Sequence, residues 1–172
     1  MNGDGVVVRE EGGALLLSVI DALGHGPRAA EVARITNDVL LSCSLDGNVL
    51  SVIDRIDQSL RGTRGASVLV CLVKGTTLEG CSVGNVELRS EGVRLPFMLT
   101  PGVLGLRLRK ARTFAGTIDR RTRFAMFSDG LSAKFHLDQF AEFSTKDACH
   151  AIFERHRRSH DDATLLLADF DA

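Results

Sequence analysis

The chain has 172 residues, a net charge of −1, 44% hydrophobic and 25% charged residues, a balance that suits one globular domain spanning 1–172 with a buried core. So small a net charge supplies no bulk field toward nucleic acid or an anionic membrane, and neither is expected as a partner. No apolar run spans a bilayer, no secretory leader is visible in residues 1–15, and Cys43, Cys71, Cys81 and Cys149 form no C-x-x-C pair, so the chain reads as cytoplasmic with reduced core thiols.

Residues 6–9 and 14–20 read as strands joined by a turn at 11–13. The second strand delivers Asp21 to its tip, and the turn Gly24-His25-Gly26 follows at once. From Pro27 the period becomes helical. Val32, Ile35, Val39, Leu40 and Cys43 recur to about residue 44, with Pro27 at a first helical position. Asp46-Gly47 breaks the pattern, and a second helix places Val49, Leu50, Ile53, Ile56 and Leu60 on one face. These two amphipathic helices are expected to pack as an antiparallel pair on a sheet. Short strands at 67–73, 76–83 and 86–90 are joined by Lys74-Gly75 and Gly84-Asn85. Cys71 and Cys81 fall on two of them and could meet across the hairpin.

Residues 96–105, rich in proline and glycine, read as a loop. Strands resume near 106–109, 112–118 and 122–128. A last helix over 145–158 is capped by Ser144 or Thr145 and turns Ile152 and Phe153 inward. A strand over 163–170 closes the chain. Strands and helices do not alternate regularly. A doubly wound parallel sheet is therefore disfavoured, and a layered α+β sandwich of antiparallel sheets is expected.

Four apolar runs carry an acid at one tip. Asp4 precedes Val6-Val7-Val8, Asp21 ends 15–20, Asp129 ends 124–127, and Asp161 and Asp162 precede 163–167. One such aspartate is most often a turn former. A carboxylate at the mouth of a buried strand is costly unless paired, so converging tips would need cations. Oxygen-only ligands select Mg²⁺ or Mn²⁺. Two such ions can lower the pKa of a held water and stabilise in-line displacement at phosphorus. No His or Cys nucleophile is evident.

His25 reads either as a proton donor or phosphate contact, or as a residue that orients its turn. The same turn at a helix start could bind an anion through free amides. The basic runs 107–112 and 155–158 read as solvated faces, with docking of an acidic or phosphorylated partner as the sharper alternative.

Several segments resemble the metal-dependent (PPM-type, protein phosphatase 2C-like) serine/threonine phosphatases, within them the bacterial SpoIIE branch and its short RsbX-like regulators. They are Gly3-Asp4, Asp21-Ala22-Leu23-Gly24-His25-Gly26, Arg64-Gly65-Ala66-Ser67, Ser82-Val83-Gly84-Asn85-Val86, Pro101-Gly102-Val103-Leu104-Gly105, Phe127-Ser128-Asp129-Gly130-Leu131 and Asp161-Asp162-Ala163-Thr164. Each is weak alone; in family order across nearly the whole chain they are specific.

The resemblance implies an αββα four-layer sandwich of two mainly antiparallel sheets flanked by helices. Two Mn²⁺ or Mg²⁺ ions between the sheets would hold the hydroxide that dephosphorylates Ser or Thr. By that resemblance Asp21 bridges both metals, Asp129 and Asp161 hold one, and Asp4 holds the other. Ala22 offers its backbone carbonyl, and Asp162 and His25 stand nearby. The family has glycine at the position of Ala22. If that position needs a positive φ, alanine costs about 1–2 kcal/mol and weakens one metal. Relatives also carry a strand ahead of the Gly3-Asp4 motif, so one sheet is expected to lack an edge strand.

The RsbX-like relatives act on phosphorylated STAS-domain scaffold proteins of the stressosome. The resemblance therefore implies such a partner, with Arg107 and Arg109 beside it. Two other readings stand: a non-catalytic module of the same fold with a weakened metal site, and a receiver-like acidic Mg²⁺ site that accepts phosphate. The hairpin-rich middle argues against the last. The oligomeric state stays open.

Overall fold

Side-chain alternation decides how the layers stack. The computed structural model describes residues 3–158 and 162–170. In chain order it contains β1 (Asp4–Glu11), β2 (Ala14–Ala22), α1 (Pro27–Ser42), α2 (Val49–Ser59), β3 (Ala66–Lys74), β4 (Thr77–Val83) and β5 (Glu87–Glu91). Then come β6 (Leu99–Thr100), β7 (Gly102–Val103), β8 (Arg107–Leu108), β9 (Thr113–Thr117), β10 (Thr122–Phe127), a 3-10 turn (Leu137–Phe140), α3 (Thr145–His156) and β11 (Leu165–Phe170). The first sheet runs β1-β2-β3-β4 through antiparallel neighbours, with β6 parallel to the end of β4 and β9 antiparallel to its start. The second sheet runs β11-β10-β5, and β7 pairs only with β8.

Successive residues of a strand face opposite sides, and here each side finds its own core. Leu16, Ile20, Val68, Val70 and Leu72 pack under α1 and α2 with Val32, Leu40, Val52, Ile53 and Ile56. The intervening Leu17, Val19, Leu69, Cys71 and Val73 meet Leu88, Phe124, Met126 and Leu166 of the second sheet. On the far side of that sheet Ala125 and Phe127 meet Phe135, Phe140, Ala148 and Ile152 of the 3-10 turn and α3. Three cores between four layers make the αββα sandwich. Burial of these side chains, each worth about 1.5–3 kcal/mol, is what holds the layers.

Helix ends are set locally. Asn48 Oδ1 accepts the Ser51 N–H at 3.0 Å, and Ser144 Oγ accepts the Asp147 N–H at 3.2 Å. The last helix stops at His156 rather than 158, because Arg157 turns extended and the Arg158 N–H donates to the Gly130 carbonyl at 2.9 Å. The 96–105 loop contains the two-residue strands β6 and β7, whose pairing comes from neighbours rather than from any local period. Cys71 and Cys81 lie on paired strands but pack in different cores, so they face opposite sides of the sheet. Val7 packs under α1, and the flanking Val6 and Val8 are exposed on the other face of β1. Among the described residues no strand pairs with the outer edge of β11.

One arginine ties the second sheet to its helical layer. Arg123 Nε and Nη2 donate to the two oxygens of Asp169 at 2.6 and 2.7 Å. Nη1 and Nη2 also donate to the Phe140 and Phe143 carbonyls at 2.6 and 3.0 Å. The Arg123 hydrogen bonds hold the Asp169 carboxyl below its ordinary value against the opposing effect of burial, with Thr145 helping. A depressed carboxyl contributes stability that is present above its unfolded pKa of about 3.9 and is lost as pH falls through the folded value. Arg123→Met should therefore cost about 3 kcal/mol at neutral pH, by stranding one carboxylate and two carbonyls. Urea denaturation of both proteins should show the gap narrowing below about pH 4, as Asp169 takes up a proton.

Candidate active site

Strand register brings the first two acids together. Asp4 at the start of β1 stands opposite Asp21 near the end of β2, and Asp21 stands opposite Ser67 of β3. The second sheet supplies the others at the same end of the sandwich. β10 stops at Phe127, and the next side chain, Ser128, crosses between the sheets. Its Oγ donates to Asp4 Oδ2 at 2.7 Å and accepts the Thr164 N–H at 3.0 Å. The Asn85 amide donates to Asp129 Oδ2 at 2.7 Å, and the Gly3 N–H donates to Asp162 Oδ2 at 3.3 Å.

Two glycines permit this approach. A Cβ on Gly130 would overlap the Asp162 backbone, and one on Gly3 would crowd the Ala29 side chain at 3.0 Å and the Ala22 carbonyl at 3.2 Å.

The cluster is electrostatically loaded. Burial pushes the Asp4 carboxyl up, hydrogen bonds from Ser128 and Thr164 pull it down, and the charges of Asp162 and Asp129 push it up again. Asp4, Asp21, Asp129 and Asp162 thus present oxygen donors only, and a divalent cation would relieve both their repulsion and their desolvation. In kind they fit Mg²⁺ or Mn²⁺. Among the described residues no three His, Cys, Asp or Glu side chains form a ready-made group around one ion. Asp161, the remaining acid of the expected set, lies outside the described residues.

Other expected residues fall differently. Ala22 is buried in β2, paired with Ala66, and its N–H donates to the Gly3 carbonyl at 3.0 Å. Among the described residues the one non-glycine with positive φ is Arg121. The strain expected at Ala22 is therefore absent, because the residue belongs to the strand and not to the turn.

His25 is exposed in the turn, with no side-chain partner among the described residues. At this helix start the Gly26 carbonyl accepts the Ala29 and Ala30 N–H groups at 3.1 Å each. Arg107 and Arg109 line a cleft that contains none of the acids. Burial pushes the Cys71 thiol up to about 12 and the Cys81 thiol up to about 11, so neither is a nucleophile near neutral pH.

Sequence reasoning assigned no role to Ser128, Asn85 or Arg64. Ser128 is a buried hydroxyl next to an acid at the end of an apolar strand, and that placement was its signal. Asn85 sits in a hairpin turn and reads as a turn former. Arg64 extends the β2–β3 pairing beyond the strands: the Leu23 N–H donates to the Gly65 carbonyl at 3.0 Å, and Arg64 Nη1 donates to the Leu23 carbonyl at 3.1 Å. It steadies the turn that follows Asp21.

No protein-family model matches the chain, and no curated protein matches it. Solved structures do. A chain from a structure of the bacterial stressosome, described as "a modular system that has been adapted to control secondary messenger signaling", is 27% identical with a TM-score of 0.86, over 97% of this chain and 90% of that one. RsbX in complex with magnesium is 22% identical with a TM-score of 0.83, over 97% of this chain and 86% of that one. The Mycobacterium tuberculosis serine/threonine phosphatase PstP/Ppp is 16% identical with a TM-score of 0.77, over 100% of this chain and 93% of that one. The chain has the α+β fold of the protein phosphatase 2C-like proteins.

An unstrained, buried Ala22 yields a prediction opposite to the one its mismatch with the family suggests. Ala22→Gly should not tighten Mn²⁺ binding. It should lower stability by about 0.5–1 kcal/mol through lost packing and added chain entropy. Titration calorimetry with Mn²⁺, alongside chemical denaturation, measures both.

Proposed function

We infer that this chain is a metal-dependent protein serine/threonine phosphatase, working as a single cytoplasmic domain on a phosphorylated regulatory protein. The observation that carries the reading is the convergence of Asp4, Asp21, Asp129 and Asp162 at one end of the sandwich, tied across the sheets by Ser128. Asp21, Asp4, Asp129 and the neighbouring Asp161 would hold the ions, with the Ala22 carbonyl beside them. With two divalent cations bound there, the site would gain a nucleophilic water at neutral pH and stabilisation of charge on the transferring phosphoryl group.

The chain's own residues fix that geometry. Ser128 sets the Asp4 carboxylate, Asn85 orients Asp129, and Arg64 with Gly65 braces the turn after Asp21. Among solved structures, likeness to RsbX and to a stressosome chain supports a phosphorylated STAS-domain scaffold as the substrate. A second reading is a non-catalytic binding module of the same fold.

Hydrolysis of p-nitrophenyl phosphate and of a phosphorylated STAS-domain protein, with Mn²⁺ or Mg²⁺ added, separates the two. Metal-dependent release of phosphate from both is expected, with phosphotyrosine peptides turned over poorly. Asp21→Asn and Asp129→Asn should each lower the rate by roughly a hundred-fold or more, since even residues behind metal ligands cost about 10–100-fold. Circular dichroism should show both variants folded. Full activity in either variant removes this site, and a metal-loaded wild type without activity leaves the binding module.

A further inference from the structure

The segment after β6 encloses a cleft of about 570 Å³, and its wall is cationic. Arg107, Arg109, Lys110 and Arg112 line it, together with Val103 and Leu106, and no acid does. Leu108 and Ala111 pack against the core that the first sheet shares with its helices, while Arg107, Arg109, Lys110 and Arg112 are exposed. Among the described residues none of the four cations forms an ion pair. Four uncompensated positive charges around one hollow, in a chain whose net charge is −1, repel one another until an anion arrives. Leu106 stands 57% exposed at the same place. Free phosphate would satisfy the cations but leave Val103 and Leu106 unused. An acidic polypeptide with an apolar side chain uses both.

The cleft is also connected to the carboxylates. The Thr100 carbonyl in its wall accepts the Gly84 N–H at 3.0 Å, and the next residue, Asn85, donates to Asp129 at 2.7 Å. Standard bond lengths along that path put the Thr100 side of the cleft within roughly 14 Å of Asp129, a distance that about four residues of extended chain cover.

We propose that this cleft is a docking site for an acidic segment of the substrate protein, about four residues from the phosphorylated Ser or Thr. The proposal rests on the phosphatase reading for its geometry. The cleft grips carboxylates through Arg107, Arg109, Lys110 and Arg112, seats an apolar side chain on Leu106, and so delivers the phosphorylated residue to the acids.

Phosphoserine peptides test it. They carry a leucine and three glutamates placed about four residues before or after the phosphoserine, or glutamine or lysine at the same positions. The full chain loaded with Mn²⁺ should hydrolyse one glutamate peptide with kcat/KM roughly ten-fold above its glutamine counterpart, and raised salt should erase the preference. Lys110→Glu/Arg112→Glu should abolish that preference and turn it toward the lysine peptide. A preference that survives the double variant, or hydrolysis by the wild type without any preference, overturns the docking site.

Fluorescence anisotropy with the labelled, unphosphorylated glutamate peptide gives a readout that needs no catalysis. Binding lost in the double variant supports the site even if no peptide is hydrolysed, an outcome that would overturn the phosphatase reading alone. Equal binding by wild type and variant, or displacement of the peptide by millimolar inorganic phosphate as effectively as by excess peptide, overturns the site as a polypeptide receptor.

Discussion

Everything at the functional end of this molecule depends on one hydrogen-bonded crossing between the sheets. Ser128 leaves β10, donates to Asp4 on β1 and accepts from Thr164 just before β11. The two groups are 124 residues apart in sequence, and each belongs to a different sheet. A hydroxyl suits this place because it donates and accepts at once. It binds the end of one sheet to the end of the other without bringing in a charge. The backbone pair between Ser128 N–H and the Thr164 carbonyl, at 3.1 Å, holds the crossing rigid. Gly3 and Gly130 then let the strand tips come closer than side chains would allow.

The layers exist to hold that crossing. A carboxylate cluster gains nothing from folding; it costs desolvation and repulsion until cations or hydrogen bonds offset them. The compensation comes from elsewhere. Fully buried Phe124, Phe127, Phe135 and Phe140 fill the two cores around the second sheet, and the β2–β3 pairing runs unbroken from Ala14 to Ala22. Continuous pairing on both sides of β2 fixes Asp21 at a defined height. Asp4 is fixed by the same register. Position at the site is thus a property of the sheets, with loops contributing the final turns.

Much of the fold was legible because it rests on local periods. The helical recurrence from Val32 to Cys43 and the alternation along β2 each reflect a face that meets one core, so a one-dimensional pattern carries the information. The acids at strand tips were legible for a related reason: a charge ending an apolar run stands out. Less was visible where the decisive contact is distant. β6 and β7 are two residues long and take their pairing from β4 and β8. The 3-10 turn at 137–140 follows from the need to bury Leu137 and Phe140. Ala22 was misjudged because a family glycine suggested a turn, whereas Ala66 and Gly3 hold it as strand. Asn85 looked like any hairpin residue until β10 placed Asp129 beside it.

Three aspartates in this chain show how a partner decides a carboxylate's work. Asp169 is clamped by Arg123 in a bidentate pair, its charge cancelled and its role confined to stability. Asp4 accepts a hydrogen bond from Ser128 and Asp129 accepts one from Asn85, and each of these neutral donors orients its carboxylate without adding a charge. An arginine in their place would occupy the oxygens that a divalent ion needs, because its fork matches a carboxylate as well as a metal does. Among the described residues, Arg107, Arg109, Lys110 and Arg112 line a cleft that contains no acid. Positive charge held outside hydrogen-bond reach of the acids does not compete for their oxygens. With neutral donors at the acids and cations in the cleft, the proposed divalent cations and the proposed acidic polypeptide would each meet the charge they need.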